Sequence, residues 1–268
     1  MEQEIYERFR KVVYEHSGIS LGDHKKSLVC ARIGKRMREL NLKDYADYLG
    51  VVEDDNNERE IVQLLDKIST NVTSFFREPA HFDFLADRMK EWLVKGQERF
   101  RIWSAASSTG EEPYSMAMTL NTVVEEMKMP VDVKILATDI STEVLSASRN
   151  GYYRADKVKK IPGLLKDRFF NPIFKDGEKL YQVNESLKRD ITFSRLNLSK
   201  PPFPMEGPFD VVFCRNVMIY FDNDVRKGLL DEIYRLLKPD GFLMVGHAES
   251  LAGMLGKFKN VRPSTYTK

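Results

Sequence analysis

The spacing of apolar positions changes near residue 88, and that change divides the chain. From Glu2 to about Arg88 it is helical, with no strand-like alternation. The clearest case is His24–Leu42, where Val29, Ile33, Met37 and Leu40 fall on one face. Shorter helical patterns follow at Asp44–Leu49 and Glu58–Ile68, parted by an acidic, asparagine-rich loop from Glu53 to Asn57. The next stretch, Ile68–Glu78 (ISTNVTSFFRE), mixes β-branched, polar and aromatic residues. Ser69, Thr70 or Asn71 is a candidate N-cap there, which predicts a linker helix held in the core by Phe75 and Phe76.

Beyond this point strands and helices alternate. Phe100, Ile102, Trp103 and Ala105 read as a buried strand, small residues follow, and Glu111-Glu112-Pro113 suits the first turn of a helix running to about Met127. Val133, Ile135 and Ala137 alternate into a second strand ending at Asp139, and Thr142–Arg149 reads as a helix. From Gly151 to Phe193 the rhythm breaks, with a turn at Lys175-Asp176-Gly177-Glu178 that predicts an inserted hairpin. Asn171-Pro172-Ile173-Phe174 and Lys200-Pro201-Pro202-Phe203 read as connections. The run Asp210–Cys214 suits a central parallel strand buried on both faces. A helix over Asn223–Leu237 closes at Lys238-Pro239-Asp240-Gly241, and Phe242–Gly246 and Val261–Thr267 read as strands, the last at the sheet edge. The pattern predicts an α/β fold: a helical region over 1–88, then an open sheet over 89–268 interrupted by an antiparallel insert at 151–195.

Candidate chemistry collects at the predicted strand ends, where open α/β sheets bind ligands. The two carboxylates of Glu111 and Glu112 at the turn repel a pyrophosphate and favour a ligand bearing cationic or hydroxyl groups; S-adenosylmethionine fits. The plain alternative is an ordinary turn with a solvated acidic helix start. Asp139 suits a ribose acceptor, since its two oxygens match a vicinal diol; it also suits an N-cap, with Ser141 as the competing cap. Arg215 and Asn216 fall at the end of the central strand, and Asn197, after the strand-like ITFSRL, is expected beside them. Asn71, Thr73 and Arg77 are polar groups at the joint between the two regions. Lys25, Arg32, Lys35 and Arg36 gather on a flank of the early helix, with Arg38 further round; they form either a solvated face or a docking surface for an acidic partner.

Composition narrows the classes. The 268 residues are 42% hydrophobic and 31% charged, without a membrane-length apolar run or a signal-peptide pattern at the start, which points to the reducing cytoplasm. Four histidines and two distant cysteines predict no metal centre and no disulfide framework. A net charge of +2 gives little electrostatic footprint for nucleic acid.

TNVTSFFRE, WSAASSTGEEPYS, LATDISTEVL, FCRNVMIYF and LKPDGFLMVGHAE occur in this order, and together they resemble the chemotaxis receptor methyltransferases, the CheR family. The resemblance spans essentially the whole chain. It implies a Rossmann-like S-adenosylmethionine-dependent methyltransferase fold with a small all-helical N-terminal domain and an inserted antiparallel β-subdomain. It also implies transfer of methyl groups from S-adenosylmethionine to glutamate side chains of chemoreceptor cytoplasmic bundles, leaving S-adenosylhomocysteine. By motif match, the cofactor-contacting residues are Asn71, Thr73, Arg77, Glu112, Asp139, Asn197, Leu198, Arg215 and Asn216. Glu112 is matched to the cofactor's amino group and Asp139 to its ribose. Tyr220 lines the site near the methyl, and Arg77 orients either the incoming carboxylate or the cofactor. The same match makes Arg32, Lys35, Arg36 and Arg38 the receptor-docking surface, on a monomer that binds no nucleic acid and does not insert into membrane. Some members also have a glycine-rich loop in the insert that grips a receptor pentapeptide. Here the matching region reads NPIFKDGEKLYQV, so the resemblance does not carry that grip over. A nicotinamide-dependent reductase lacks its G-x-G-x-x-G after the first strand, a nucleic-acid methyltransferase lacks its strand-end loop, and a non-enzymatic adaptor does not need Asp139, Arg215 and Asn216.

Overall fold

The computed structural model describes residues 1–54, 57–249, 251 and 253–268. Four helices come first: α1 (Gln3–Ser17), α2 (Lys26–Glu39), α3 (Tyr45–Glu53) and α4 (Glu58–Ile68). Asp55 and Asn56, in the acidic loop, lie outside the described residues. The four helices bury their own core, in which Val29, Ile33 and Met37 of α2 meet Tyr6, Phe9, Tyr48 and Leu64. The face expected from the spacing is thus the buried one. The helix itself starts only at Lys26, because Asp23–Lys25 forms a separate 3-10 turn.

No linker helix follows. Ser69 ends α4 by turning its hydroxyl back onto the Leu65 carbonyl (2.7 Å), and residues 70–74 run as irregular coil into a turn. Phe76 and Glu78 then adopt left-handed backbone angles (φ 50° and 58°), which a helix cannot contain. Phe75 does reach the core, edge-on to Tyr153 and Phe170. Burying that ring contributes roughly 2–3 kcal/mol, so tertiary packing fixes this segment where helix propensity does not. Helix α5 (Ala80–Val94) starts after Pro79 and joins the core beneath the sheet rather than the helical cluster.

The α/β body continues with β1 (Arg99–Ser104), α6 (Glu111–Met127), β2 (Asp132–Asp139) and α7 (Thr142–Asn150). Next come β3 (Tyr152–Arg154), the short helices α8 (Ala155–Val158) and α9 (Gly163–Phe169), β4 (Phe170–Lys175), β5 (Glu178–Val183) and α10 (Glu185–Lys188). The chain ends with β6 (Ile191–Arg195), β7 (Phe209–Cys214), α11 (Asn223–Leu236), β8 (Leu237–Val245), β9 (Lys259–Arg262) and β10 (Thr265–Thr267). The main sheet has seven strands in the order β6-β2-β1-β7-β8-β10-β9. Six run in one direction, and β10 alone enters antiparallel, between β8 and β9. This is the open α/β sheet that the resemblance implies, and its strand order reverses between β1 and β7.

Alternate residues of β7 serve opposite faces: Val211 and Phe213 join the core under α5 and α6, while Val212 and Cys214 join the one under α11. Both faces are apolar because both are covered, as expected of a parallel strand. A separate three-stranded antiparallel sheet, β3-β5-β4, forms the insert, with its turn at Asp176-Gly177.

Further details differ from the expectations set by the sequence, among them the tail: Val261–Thr267 is not one edge strand, since β10 pairs between β8 and the edge strand β9. Asn171–Phe174 is not a connection but part of β4. Lys238–Gly241 does not separate helix from strand: Leu237 already pairs with Phe209, the tetrapeptide bulges at Asp240 (φ 61°), and pairing resumes at Phe242 with Val211. Ile191–Arg195, inside the segment expected as the insert, pairs in parallel with β2 as an edge of the main sheet.

The helical cluster sits over the carboxyl ends of the strands. Ile19 bridges to Phe221, Ser20 N–H donates to the Tyr220 carbonyl (2.9 Å), and Asp66 accepts from the Thr142 N–H (2.7 Å) and hydroxyl (2.6 Å). At Gly18, which ends α1 with φ 70°, an added Cβ would lie 2.5 Å from the Ser199 Cβ, so only glycine permits this approach.

A candidate cofactor cleft where the strand order reverses

A cleft of about 1270 Å³, counting its open mouth, lies between the helical cluster and the strand ends. This is the crevice in which doubly wound sheets bind ligands. The 69–77 segment forms one wall, the ends of β1, β2 and β7 form the floor, and Ile19–Leu21, Lys25, Leu28, Val29 and Arg32 close the side.

Of the two glutamates at the first turn, only Glu112 faces the cleft. Glu111 is fully buried, held by Lys157 (3.1 Å) and the Thr109 hydroxyl (2.6 Å). Gly110, at φ 96°, makes the turn that aims α6 this way, and an added Cβ would lie 2.8 Å from the Tyr153 hydroxyl. Glu112 accepts from the Ser104 hydroxyl (2.7 Å) and lies 3.4 Å from the Arg215 guanidinium. Burial pushes its pKa up, with Arg215 and the Ser104 hydrogen bond opposing.

Asp139 lines the same cleft and is not the N-cap of α7; Ser141 is. Its oxygens accept from the Ser108 N–H (2.8 Å) and the Ser141 N–H (3.0 Å), which fix the carboxylate and leave further lone pairs for a ligand. Burial raises its pKa, and these amide bonds oppose the rise.

Arg215, at the end of β7, is buried with its side chain 1% exposed. It lies 3.2 Å from Glu78 and 3.4 Å from Glu112, and donates to the Arg77 carbonyl. Its Nε and Nη1 have no hydrogen-bond partner. Asn216, which follows with φ 59°, is held by Glu249, whose carboxylate accepts from the N–H groups of Asn216 (2.8 Å), Val217 (3.0 Å), Met218 (2.8 Å) and Gly246 (2.6 Å). That clasp sets the course of the chain to Tyr220, which also lines the cleft.

Asn71, Thr73, Arg77, Glu112, Asp139, Leu198, Arg215, Asn216 and Tyr220 all come together here. Asn197 does not. Its neighbour Leu198 reaches the cleft, but β6 lies outside β2, so Asn197 is not beside Arg215 and Asn216 at the end of β7. The Asn197 amide instead donates to the His16 carbonyl (2.8 Å) and accepts from Ser199, tying α1 to the sheet.

The basic helix divides in a way its sequence does not reveal. Arg36 forms a two-pronged pair with the buried Glu60 (2.9 and 2.7 Å), and Arg32 donates to the Ile68 and Ser69 carbonyls while lining the cleft. Lys35 and Arg38 are exposed. Sequence reasoning missed the wall from Ile19 to Leu21 and the group Glu78, His81 and His247, of which TNVTSFFRE holds Glu78 and LKPDGFLMVGHAE holds His247. Burial, with the nearby Arg215 charge, lowers the His81 pKa to about 4.

Acids beside orphaned guanidinium donors suit a ligand that joins an amino-acid end to a diol. Residues 71–267 match the family model "CheR methyltransferase, SAM binding domain", and residues 4–69 match "CheR methyltransferase, all-alpha domain". The chain belongs to the CheR methyltransferase family. It is 39% identical to the chemotaxis protein methyltransferase of Borreliella burgdorferi, over 97% of this chain and 93% of that protein. It is also 39% identical to the Escherichia coli chemotaxis protein methyltransferase, over 94% and 86% of the two chains. Chemotaxis protein methyltransferase 2 of Pseudomonas aeruginosa is 36% identical over 99% and 93%. As a CheR-family enzyme the chain is an S-adenosylmethionine-dependent methyltransferase of bacterial chemotaxis. No helix among the described residues is long and apolar enough to cross a membrane.

Proposed function

We propose that this CheR-family enzyme transfers a methyl group from S-adenosylmethionine to glutamate carboxylates on the cytoplasmic part of chemoreceptors, forming methyl esters. The observation that carries the assignment of the cleft is the convergence of Glu112, Asp139 and Arg215 at the strand-order reversal. Glu112 would receive the cofactor's ammonium, Asp139 its ribose diol, and the free donors of Arg215 its carboxylate. When bound, S-adenosylmethionine supplies a methyl carbon made electrophilic by its sulfonium.

What is left for the protein is positional. A glutamate carboxylate, with an unperturbed pKa of about 4.3, is already ionised at neutral pH, so the enzyme needs no general base. Its residues have to hold the carboxylate in line and exclude water, which in favourable cases lowers a barrier by roughly 7–11 kcal/mol. Arg77 suits the alignment of the carboxylate, since it lines the cleft and its guanidinium is steadied by the Val72 carbonyl (3.0 Å). Tyr220 suits the exclusion of water, at the wall closed by Ile19–Leu21.

Arg77→Ala is expected to reduce kcat/KM at least about 100-fold, a loss of about 3 kcal/mol, while S-adenosylhomocysteine affinity changes less than about threefold. Steady-state kinetics on a receptor fragment with parallel calorimetry test this; equal losses in both would assign Arg77 to the cofactor instead. Calorimetry also tests the cleft assignment itself: S-adenosylhomocysteine should bind saturably and NAD should not.

Receptor docking on α2 falls to the exposed Lys35 and Arg38 more than to Arg32 and Arg36, whose charges are engaged within the protein. Lys35→Glu with Arg38→Glu is expected to raise the KM for a receptor fragment about tenfold at low salt and leave kcat and cofactor affinity alone. An unchanged KM would move the docking surface elsewhere.

A further inference from the structure

We propose that Glu78, His81 and His247 form a binding site for a divalent transition-metal ion of the zinc class, outside the methyl-transfer cleft. The three residues come from three places: the turn after the 69–77 segment, the first turn of α5, and the segment after β8. Their potential ligand atoms all lie within 4.8 Å of one another. His81 Nδ1 is 3.6 Å and His247 Nε2 is 3.8 Å from Glu78 Oε2. Both distances are too long for hydrogen bonds and slightly wider than the roughly 3.3 Å between ligand atoms of a tetrahedral zinc ion. The two imidazoles lie within 4.8 Å of each other, so closing the set takes a side-chain shift of up to about 1.5 Å, which the half-exposed His247 can make.

A second observation points to a missing ligand. Both ring nitrogens of His81 are buried without a hydrogen-bond partner and His81 is 1% exposed, while Glu78 Oε2 has only its ion pair with Arg215. A buried polar group left in this state costs about 1–3 kcal/mol, which coordination of an ion would relieve. Two imidazoles and one carboxylate suit zinc, nickel or copper rather than magnesium or calcium, which prefer oxygen. The His247 side chain is 54% exposed and gives an ion a way in, with water completing the coordination.

The site is linked to the cleft through Glu78, whose Oε2 also lies 3.2 Å from Arg215. An ion would replace Arg215 as the partner of that oxygen and alter the guanidinium that lines the cleft. Metal binding should therefore weaken cofactor binding, and by linkage the cofactor should weaken metal binding by the same factor.

The test is calorimetric titration of the full chain with zinc chloride alone, with Co²⁺ absorption reporting the geometry. One saturable site with a tetrahedral Co²⁺ spectrum is expected. His247→Ala, at an exposed position, should keep the fold by circular dichroism and lose at least tenfold in zinc affinity. Zinc should lower S-adenosylhomocysteine affinity in the parent protein and not in this variant. Absence of saturable zinc binding would overturn the proposal. So would full retention of affinity in His247→Ala, which would place the ion at His16 or His24 instead.

Discussion

Asp139→Ala should lower the affinity for S-adenosylhomocysteine by about 100-fold or more without unfolding the protein. A vicinal diol donates two hydrogen bonds to an ionised carboxylate, and each charge-assisted bond contributes roughly 1.5–3 kcal/mol. Together they amount to about 3–6 kcal/mol, and even the lower end exceeds a factor of 100. The substitution also orphans the Ser108 and Ser141 amides that now donate to Asp139, so part of the loss comes from a loosened turn. Asp139→Asn separates the two contributions: it keeps one acceptor oxygen but adds a donor where a diol donor must approach, and should fall between parent and alanine variant. Calorimetry supplies the affinities and circular dichroism checks the fold. Equal affinity in parent and Asp139→Ala would remove the ribose assignment.

Arg215→Met should cost about 3–5 kcal/mol of stability, because it leaves carboxylates of Glu78 and Glu112 facing each other across a buried site with no cation between them. The methionine fills much of the stem's volume, so the loss reports charge more than packing. The guanidinium also lies 5.7 Å from the Phe82 ring centroid and 5.6 Å from that of Phe213, two contacts the thioether replaces only in part. Glu78→Gln in the same chain should recover a measurable part of the loss, since it removes one of the stranded charges. Urea unfolding of the two single variants and the double variant measures this coupling. A loss below about 1 kcal/mol for Arg215→Met would mean that the buried network contributes little.

Local signals made much of this architecture legible. The run into β1, the small-residue turn, the acidic start of α6 and the alternation into β2 are short-range patterns, and each element lies where its pattern falls. The cleft residues on those strand ends follow almost automatically, because a parallel strand must present its carboxyl end to a connection. The expectation that Asn197 sits beside Arg215 failed because strand order is not a local property: β6 passes outside β2 and is parted from β7 by two strands, although Leu198 still reaches the cleft.

Residues 69–79 escaped for the opposite reason. Their helix signals are real but weak, and the burial of Phe75 against the insert outweighs them. Arg32 and Arg36 look like surface cations until the Ile68 carbonyl and Glu60, more than twenty residues further along, are seen to hold them. The contribution of Ile19–Leu21 to the cleft wall likewise depends on how two layers meet, which no periodicity encodes.

Receptor methylation itself is tested most directly by incubating the enzyme with methyl-labelled S-adenosylmethionine and a chemoreceptor cytoplasmic fragment, then treating the product with mild base. Label is expected on glutamate residues of the fragment, released as methanol by the base and absent when Asp139→Ala is used at limiting cofactor. Label that survives base, or a fragment left unlabelled while the cofactor binds, would contradict methyl-ester formation on receptor glutamates.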